Sequence, residues 1–176
     1  MLRQVDRRHS WWWEATLVAF ILASCGGPAP PGATNRLSIQ IDLRTTHVVA
    51  GHEIRGVLVV HNPHAAIDLT KVVRGHCQPG FAIILTKGSF HNYVGFAASC
   101  VPAPFVILHG MTRLPFTVTT SYNECLGPGG SSVNNVPRCL SSDRSPPLPR
   151  GSYDAVIEWS TTVPLPKPTP VAVTLT

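Results

Sequence analysis

Apolar and polar positions alternate with a period of two along much of the chain beyond residue 36. Leu37, Ile39, Ile41 and Leu43 interleave with Ser38, Gln40 and Asp42, the pattern of a strand with one buried face. Tyr153, Ala155, Ile157 and Trp159 alternate in the same way with Asp154, Val156 and Glu158. Between them, Ile54 to His61 predicts a strand that stops at the turn signal Asn62-Pro63. Ile67 to Val73 predicts a short strand. Gly80 to Thr86 is apolar on both faces, as a central strand would be. Phe105 to Leu108 and Phe116 to Tyr122 predict two more, and Val171, Val173 and Leu175 a last one after a proline-rich bend. Residues 126–150 are rich in Gly, Pro, Ser and Asn and predict one long surface loop, which with its approach spans 123–150. About seven to nine short strands without helical periodicity predict an all-β domain, an immunoglobulin-like β-sandwich, with a barrel as the other closed solution. A helix is expected only ahead of the domain.

That preceding segment has a different pattern. Arg3, Arg7 and Arg8 give a positive start, and residues 15–23 form an unbroken apolar run. The run is too short to span a bilayer, which takes roughly 20 apolar residues, and it fits the core of a secretory signal. Trp11, Trp12 and Trp13 suit a membrane interface. The segment closes with Leu22-Ala23-Ser24-Cys25, which resembles a bacterial lipobox. The resemblance implies lipid transfer to the Cys25 thiol and removal of residues 1–24. Residues 26–35 then read, with Cys25, as a lipidated Pro/Gly-rich tether (25–35), and residues 36–176 as the folded domain. The expected location is the cell membrane, lipid-anchored on its extracytoplasmic side.

Composition agrees with frequent turns: the 176 residues include 14 Gly and 17 Pro, and only 13% are charged. The 44% hydrophobic fraction is enough for a core. The net charge of +5 comes from scattered single residues, without a basic run interleaved with aromatics, so no nucleic-acid partner is expected. Five cysteines are an odd number for an exported chain. Assigning Cys25 to lipid leaves Cys77, Cys100, Cys125 and Cys139, an even set that oxidising surroundings would pair. Three pairings are possible. Short local loops favour Cys77–Cys100 and Cys125–Cys139, and the absence of any Cys-x-x-Cys spacing argues against zinc.

Two stretches carry a resemblance. Val49-Ala50-Gly51-His52-Glu53-Ile54-Arg55-Gly56-Val57-Leu58-Val59-Val60-His61-Asn62-Pro63 and Leu148-Pro149-Arg150-Gly151-Ser152-Tyr153-Asp154-Ala155-Val156-Ile157-Glu158-Trp159 together resemble a family of actinobacterial Ig-like lipoproteins, across most of residues 37–175. More distantly the chain is similar to the sandwich of BsuPI-type proteinase inhibitors, whose cytoplasmic members would need neither an export signal nor these cysteines. Pro149 to Tyr153 looks like a tyrosine corner, in which a phenol hydroxyl ties a loop to the backbone.

Candidate chemistry is sparse. Seven histidines follow the leader (47, 52, 61, 64, 76, 91 and 109), and His61 and His64 form the tightest pair a metal could use. Pro63 between them sits on a turn, so the rings need not converge. No Gly-x-Ser-x-Gly elbow and no His-Glu-x-x-His pair occurs, and Asp42, Glu53, Asp68 and Asp154 fall where a strand's solvated face explains them. The reading that remains is a non-catalytic binding or scaffold module without a cofactor, its partner a cell-envelope protein or polymer. Within loop 123–150, Asn134, Asn135, Arg138 and Arg144 are the candidate contacts. Two alternatives stand beside it: an extracytoplasmic proteinase inhibitor that uses residues 126–138, and a histidine-based metal binder.

Overall fold

The computed structural model describes residues 36–72, 80–92, 104–127, 136–141 and 144–176. The leader, the tether, Cys25, Cys77, Cys100, Asn134 and Asn135 lie outside them, and so does the expected Cys77–Cys100 pairing. The regular structure among the described residues is almost entirely β. Ten segments follow in order: β1 (Ser38–Leu43), β2 (His47–Val48), β3 (Glu53–Asn62), β4 (Ile67–Asp68), β5 (Phe81–Lys87), β6 (Phe90–His91), β7 (Val106–Ile107), β8 (Gly110–Thr119), β9 (Gly151–Trp159) and β10 (Val171–Leu175).

They form a three-stranded sheet in the order β1-β3-β8, a five-stranded sheet in the order β2-β10-β9-β5-β6, and a two-stranded ribbon β4-β7. Among the described residues neither larger sheet closes into a barrel. Inward side chains of both meet in one core. Ile54, Leu58, Val60 and Val118 come from the first sheet; Ile83, Leu85, Ala155, Ile157, Val173 and Leu175 come from the second. Phe81 joins the layers, with its ring centroid 6.4 Å from Phe116 in an edge-to-face contact and 6.1 Å from Trp159. The result is a sandwich-like all-β domain, as the alternation predicts.

β3 is central, paired antiparallel with β1 from Ser38↔His61 to Leu43↔Gly56 and with β8 from Glu53↔Thr119 to Asn62↔Gly110. Both registers follow from its alternation: Ile54, Gly56, Leu58, Val60 and Asn62 are buried, while Glu53, Arg55 and His61 are exposed. A slip by one residue would turn that whole set to solvent. β5 pairs with β9 along Phe81–Thr86 and with β6 only at Thr86 and Lys87, and it is buried at the consecutive positions Ile83, Ile84 and Leu85.

Two expectations need correction, and two short strands have no counterpart in the sequence pattern. The strand expected over Ile67 to Val73 pairs only at Ile67–Asp68 and then becomes a 3-10 turn, Thr70–Val72. The Asp68 carboxylate accepts the Thr70 N–H at 2.9 Å and so competes with ladder pairing. The strand expected to begin at Phe116 begins at Gly110 and runs through Pro115. β8 is an edge strand, where a missing N–H costs no ladder bond. Finally, β2 and β6, of two residues each, carry no readable alternation and exist only through their partners: Thr174↔His47 in parallel, and Thr86↔His91.

Candidate functional site

The strands place the interesting loops at one end of the domain. β8 leaves at Thr119, β9 enters at Gly151, and β10 leaves at Leu175, beside the β2–β3 turn. Buried polar residues hold this end together. Thr120 is fully buried, and its hydroxyl donates to the His52 carbonyl at 2.6 Å while accepting the Gly51 N–H at 2.8 Å. Its own carbonyl accepts the Leu148 N–H at 2.8 Å. Asn92, 4% exposed, donates through Nδ2 to the Ser121 carbonyl at 2.8 Å and accepts the Asn123 N–H at 3.1 Å. Asn123 Nδ2 donates back to the Asn92 carbonyl at 2.7 Å. Such satisfied buried groups fix a unique geometry, because each would cost about 1–3 kcal/mol if left unpaired.

The expected tyrosine-corner bond is present: Tyr153 Oη donates to the Pro149 carbonyl at 2.8 Å. Phe90 packs edge-on against Tyr122 and Tyr153, at centroid distances of 5.8 and 6.5 Å. Lys87 Nζ stands 5.3 Å from the Tyr153 ring centre. Burial, and secondarily the neighbouring Tyr122, raise the Tyr153 phenol above its ordinary 10.0. Below that pH the phenol is neutral whether the chain is folded or unfolded. As pH passes 10, the unfolded chain ionises first, so stability falls from there, and the decline levels off above the folded phenol's higher pKa. Tyr153→Phe is expected to lose about 1 kcal/mol at neutral pH, the worth of one buried hydrogen bond. It should also flatten the alkaline decline, which denaturant titrations at neutral pH and above pH 10 will read.

Loop 123–150 grows from this end, and its described flanks are tied together. Cys125 and Cys139 are bridged, with their Cα atoms 5.0 Å apart. Leu126 N–H donates to the Pro137 carbonyl at 2.8 Å and Cys139 N–H to the Leu126 carbonyl at 3.0 Å. Farther along, Leu140 N–H meets the Arg144 carbonyl at 2.9 Å, and Tyr122 N–H meets the Pro146 carbonyl at 3.0 Å. The flanks of the loop therefore form a stapled ribbon. Arg138 and Arg144 are exposed on it, and Leu140 is 58% exposed.

Beside the ribbon's base lies a shallow cleft of about 200 Å³ between β5 and β8. Ile83, Ile84, Leu85 and Val118 line it together with Glu53, Asn92, Thr117, Thr119 and Asn123. Sequence reasoning missed Thr120, Asn92 and Asn123. Their only sequence signal is a polar residue just past a strand end, and many solvated loop residues share it.

The histidine pair does not come together as a site. His61 is exposed on β3, opposite Met111 and Ser38. His64 is half-buried on the following turn, where its N–H is held by Asn62 Oδ1 at 3.0 Å. Its Nε2 is buried without a hydrogen-bond partner. Among the described residues, no three His, Cys, Asp or Glu side chains converge as a metal would require. The Asn62 side chain explains the turn: it is fully buried and donates through Nδ2 to the Ala65 carbonyl at 2.9 Å. No family model matches the chain, and no curated protein matches it.

Proposed function

We propose that the chain is an exported, lipid-anchored cell-envelope module without chemistry of its own, which presents loop 123–150 to an envelope protein or polymer. One observation carries the reading: the start of the domain's first strand and the described flanks of this loop lie at opposite ends. β1 begins opposite His61, whereas Ser121 pairs with Pro147 beyond the other end of β8. Ten-residue strands of about 3.3 Å per residue separate the two ends by ~30 Å. A tether from Cys25 to Arg36 would then point the stapled ribbon away from the membrane. Lipid at Cys25 supplies position, the Cys125–Cys139 bridge lowers the ordering cost of binding, and Arg138 and Arg144 supply charged, exposed contacts.

Two measurements test this. Intact mass of the membrane-fraction protein is expected to show acylated Cys25 at the N-terminus; a soluble, unlipidated mature chain would defeat the anchor. Crosslinking and pull-down from native envelope are expected to recover a partner that Arg138→Ala/Arg144→Ala loses by about tenfold, the effect of ~1.4 kcal/mol. Equal recovery by that variant would defeat the loop.

A second reading, an extracytoplasmic proteinase inhibitor, is favoured by the same ribbon, since an inhibitory loop must be rigid before it meets the protease. Assays against a protease panel separate it from the first: dose-dependent inhibition lost in Cys125→Ala/Cys139→Ala would support it.

A further inference from the structure

We infer that the end of the domain where the chain enters is a bilayer-docking surface, with the β7–β8 turn as its apolar tip. The inference rests on the lipid anchor proposed above, and it names the surface that the anchor brings to the lipid.

Leu108 and Met111 flank this turn and are 57% and 60% exposed. The turn is held in shape before any contact. Leu108 N–H donates to Thr112 Oγ1 at 3.1 Å, and His109 Nδ1 donates to the His64 carbonyl at 2.8 Å. Gly110 takes a φ of +83°, and a Cβ placed on it would meet nothing within 4 Å. A side chain at the turn's glycine would therefore meet open space. Insertion would cost little ordering, because the backbone is already fixed.

The register puts this tip at the point of attachment. Ser38 pairs with His61, and His61 pairs with Met111. Arg36, where the described chain begins, is thus at the same end of the sheet as the turn, ~10 Å away across β3. The ten residues 26–35 between Cys25 and Arg36 reach at most about 35 Å. A lipid on Cys25 would hold this end of the domain, and not the loop end, near the headgroups. Charge adds to the fit. Arg36, Arg113 and Lys167 are exposed on or beside this end. Of the acids there, Asp68 holds the Thr70 N–H at 2.9 Å and has Lys71 for a neighbour, and Glu158 is half-buried. Two apolar side chains on a basic end make too small a patch for a stable protein interface, which takes about 800 Å² per partner. They suit shallow insertion into an anionic interface, where the acyl anchor supplies most of the affinity.

The test uses residues 25–176 with an N-terminal hexahistidine tag, held on phosphatidylcholine–phosphatidylglycerol vesicles by a nickel-chelating lipid. This keeps the natural tether whether or not cells acylate Cys25. Amide hydrogen exchange at residues 106–112 is expected to slow by about fivefold or more relative to the free chain, with no change at 120–126. Leu108→Asp/Met111→Asp is expected to remove that protection, and Leu140→Asp, at the other end, to keep it. Both replaced side chains are exposed, so the fold should persist, and circular dichroism will show whether it does. The softer pair Leu108→Ser/Met111→Ser gives the same readout. Equal exchange on and off vesicles, or protection that survives both double variants, would overturn the docking surface. Intact mass reads the anchor separately: protection at 106–112 with an unacylated native Cys25 would keep the surface and remove the anchor.

Discussion

Leu58→Ala is expected to lower the unfolding free energy of the domain by about 3–4 kcal/mol, within the usual range for a truncated core leucine. Leu58 is fully buried at the middle of β3, between Ile41 on β1 and Leu114 on β8. It faces the core that both large sheets share. The size of the loss depends on how far neighbours can move into the space. Here they move little, because β3 is held by ladders on both sides and its flanking core residues Gly56 and Val60 are fixed by the same register. Val57→Ala, one residue away on the half-buried outer face, should cost under about 1 kcal/mol. Denaturant unfolding will compare them; a shifted midpoint with an unchanged slope is expected for both. A loss below about 1 kcal/mol for Leu58→Ala would mean that the core is looser than this packing implies.

What the sequence could reveal follows from the range over which each signal acts. The alternation at Leu37 to Leu43 and at Tyr153 to Trp159 is local, and it located β1 and β9 almost to the residue. The apolar run at Gly80 to Thr86 located β5, whose Ile83, Ile84 and Leu85 are all buried. β2 failed to show because it exists through its parallel partner Thr174-Leu175, more than a hundred residues away. Pro115 hid the first half of β8, since a proline reads as a break until the strand is known to be an edge. For the loop, composition predicted a long irregular segment but not the hydrogen bonds that make its described flanks a ribbon. Those bonds depend on Leu126 and Pro137 meeting across the bridge. Asn62-Pro63 was legible as a turn, yet composition could not show that the Asn62 side chain is the buried group that shapes it.

Gly56→Val is expected to cost about 3 kcal/mol, although propensity alone argues the other way. Glycine inside a strand is worth roughly 0.5–1 kcal/mol less than alanine, and a β-branched residue should do better still. Space decides against the substitution. A Cβ on Gly56 would come 2.5 Å from Phe116 Cζ and 2.7 Å from the Asp42 carbonyl oxygen. Gly56 pairs directly with Phe116 on β8 and with Leu43 on β1, and the aromatic ring occupies the place where its side chain would be. The ring could swing away, though Phe116 would then lose its edge-to-face contact with Phe81, at 6.4 Å. The Asp42 oxygen belongs to a backbone locked in the β1–β3 ladder and cannot move without breaking it. Overpacking of this kind costs about 1–3 kcal/mol and exceeds the propensity gain. A double-mutant cycle separates the two obstacles. Phe116→Leu frees the ring side, so Gly56→Ala should cost less in that background than in the native one. Any cost that remains belongs to the Asp42 carbonyl. If Gly56→Ala stabilises the native background, the close approach of β1 and β8 around this glycine is wrong. Thermal and denaturant unfolding of the four proteins in the cycle decides it.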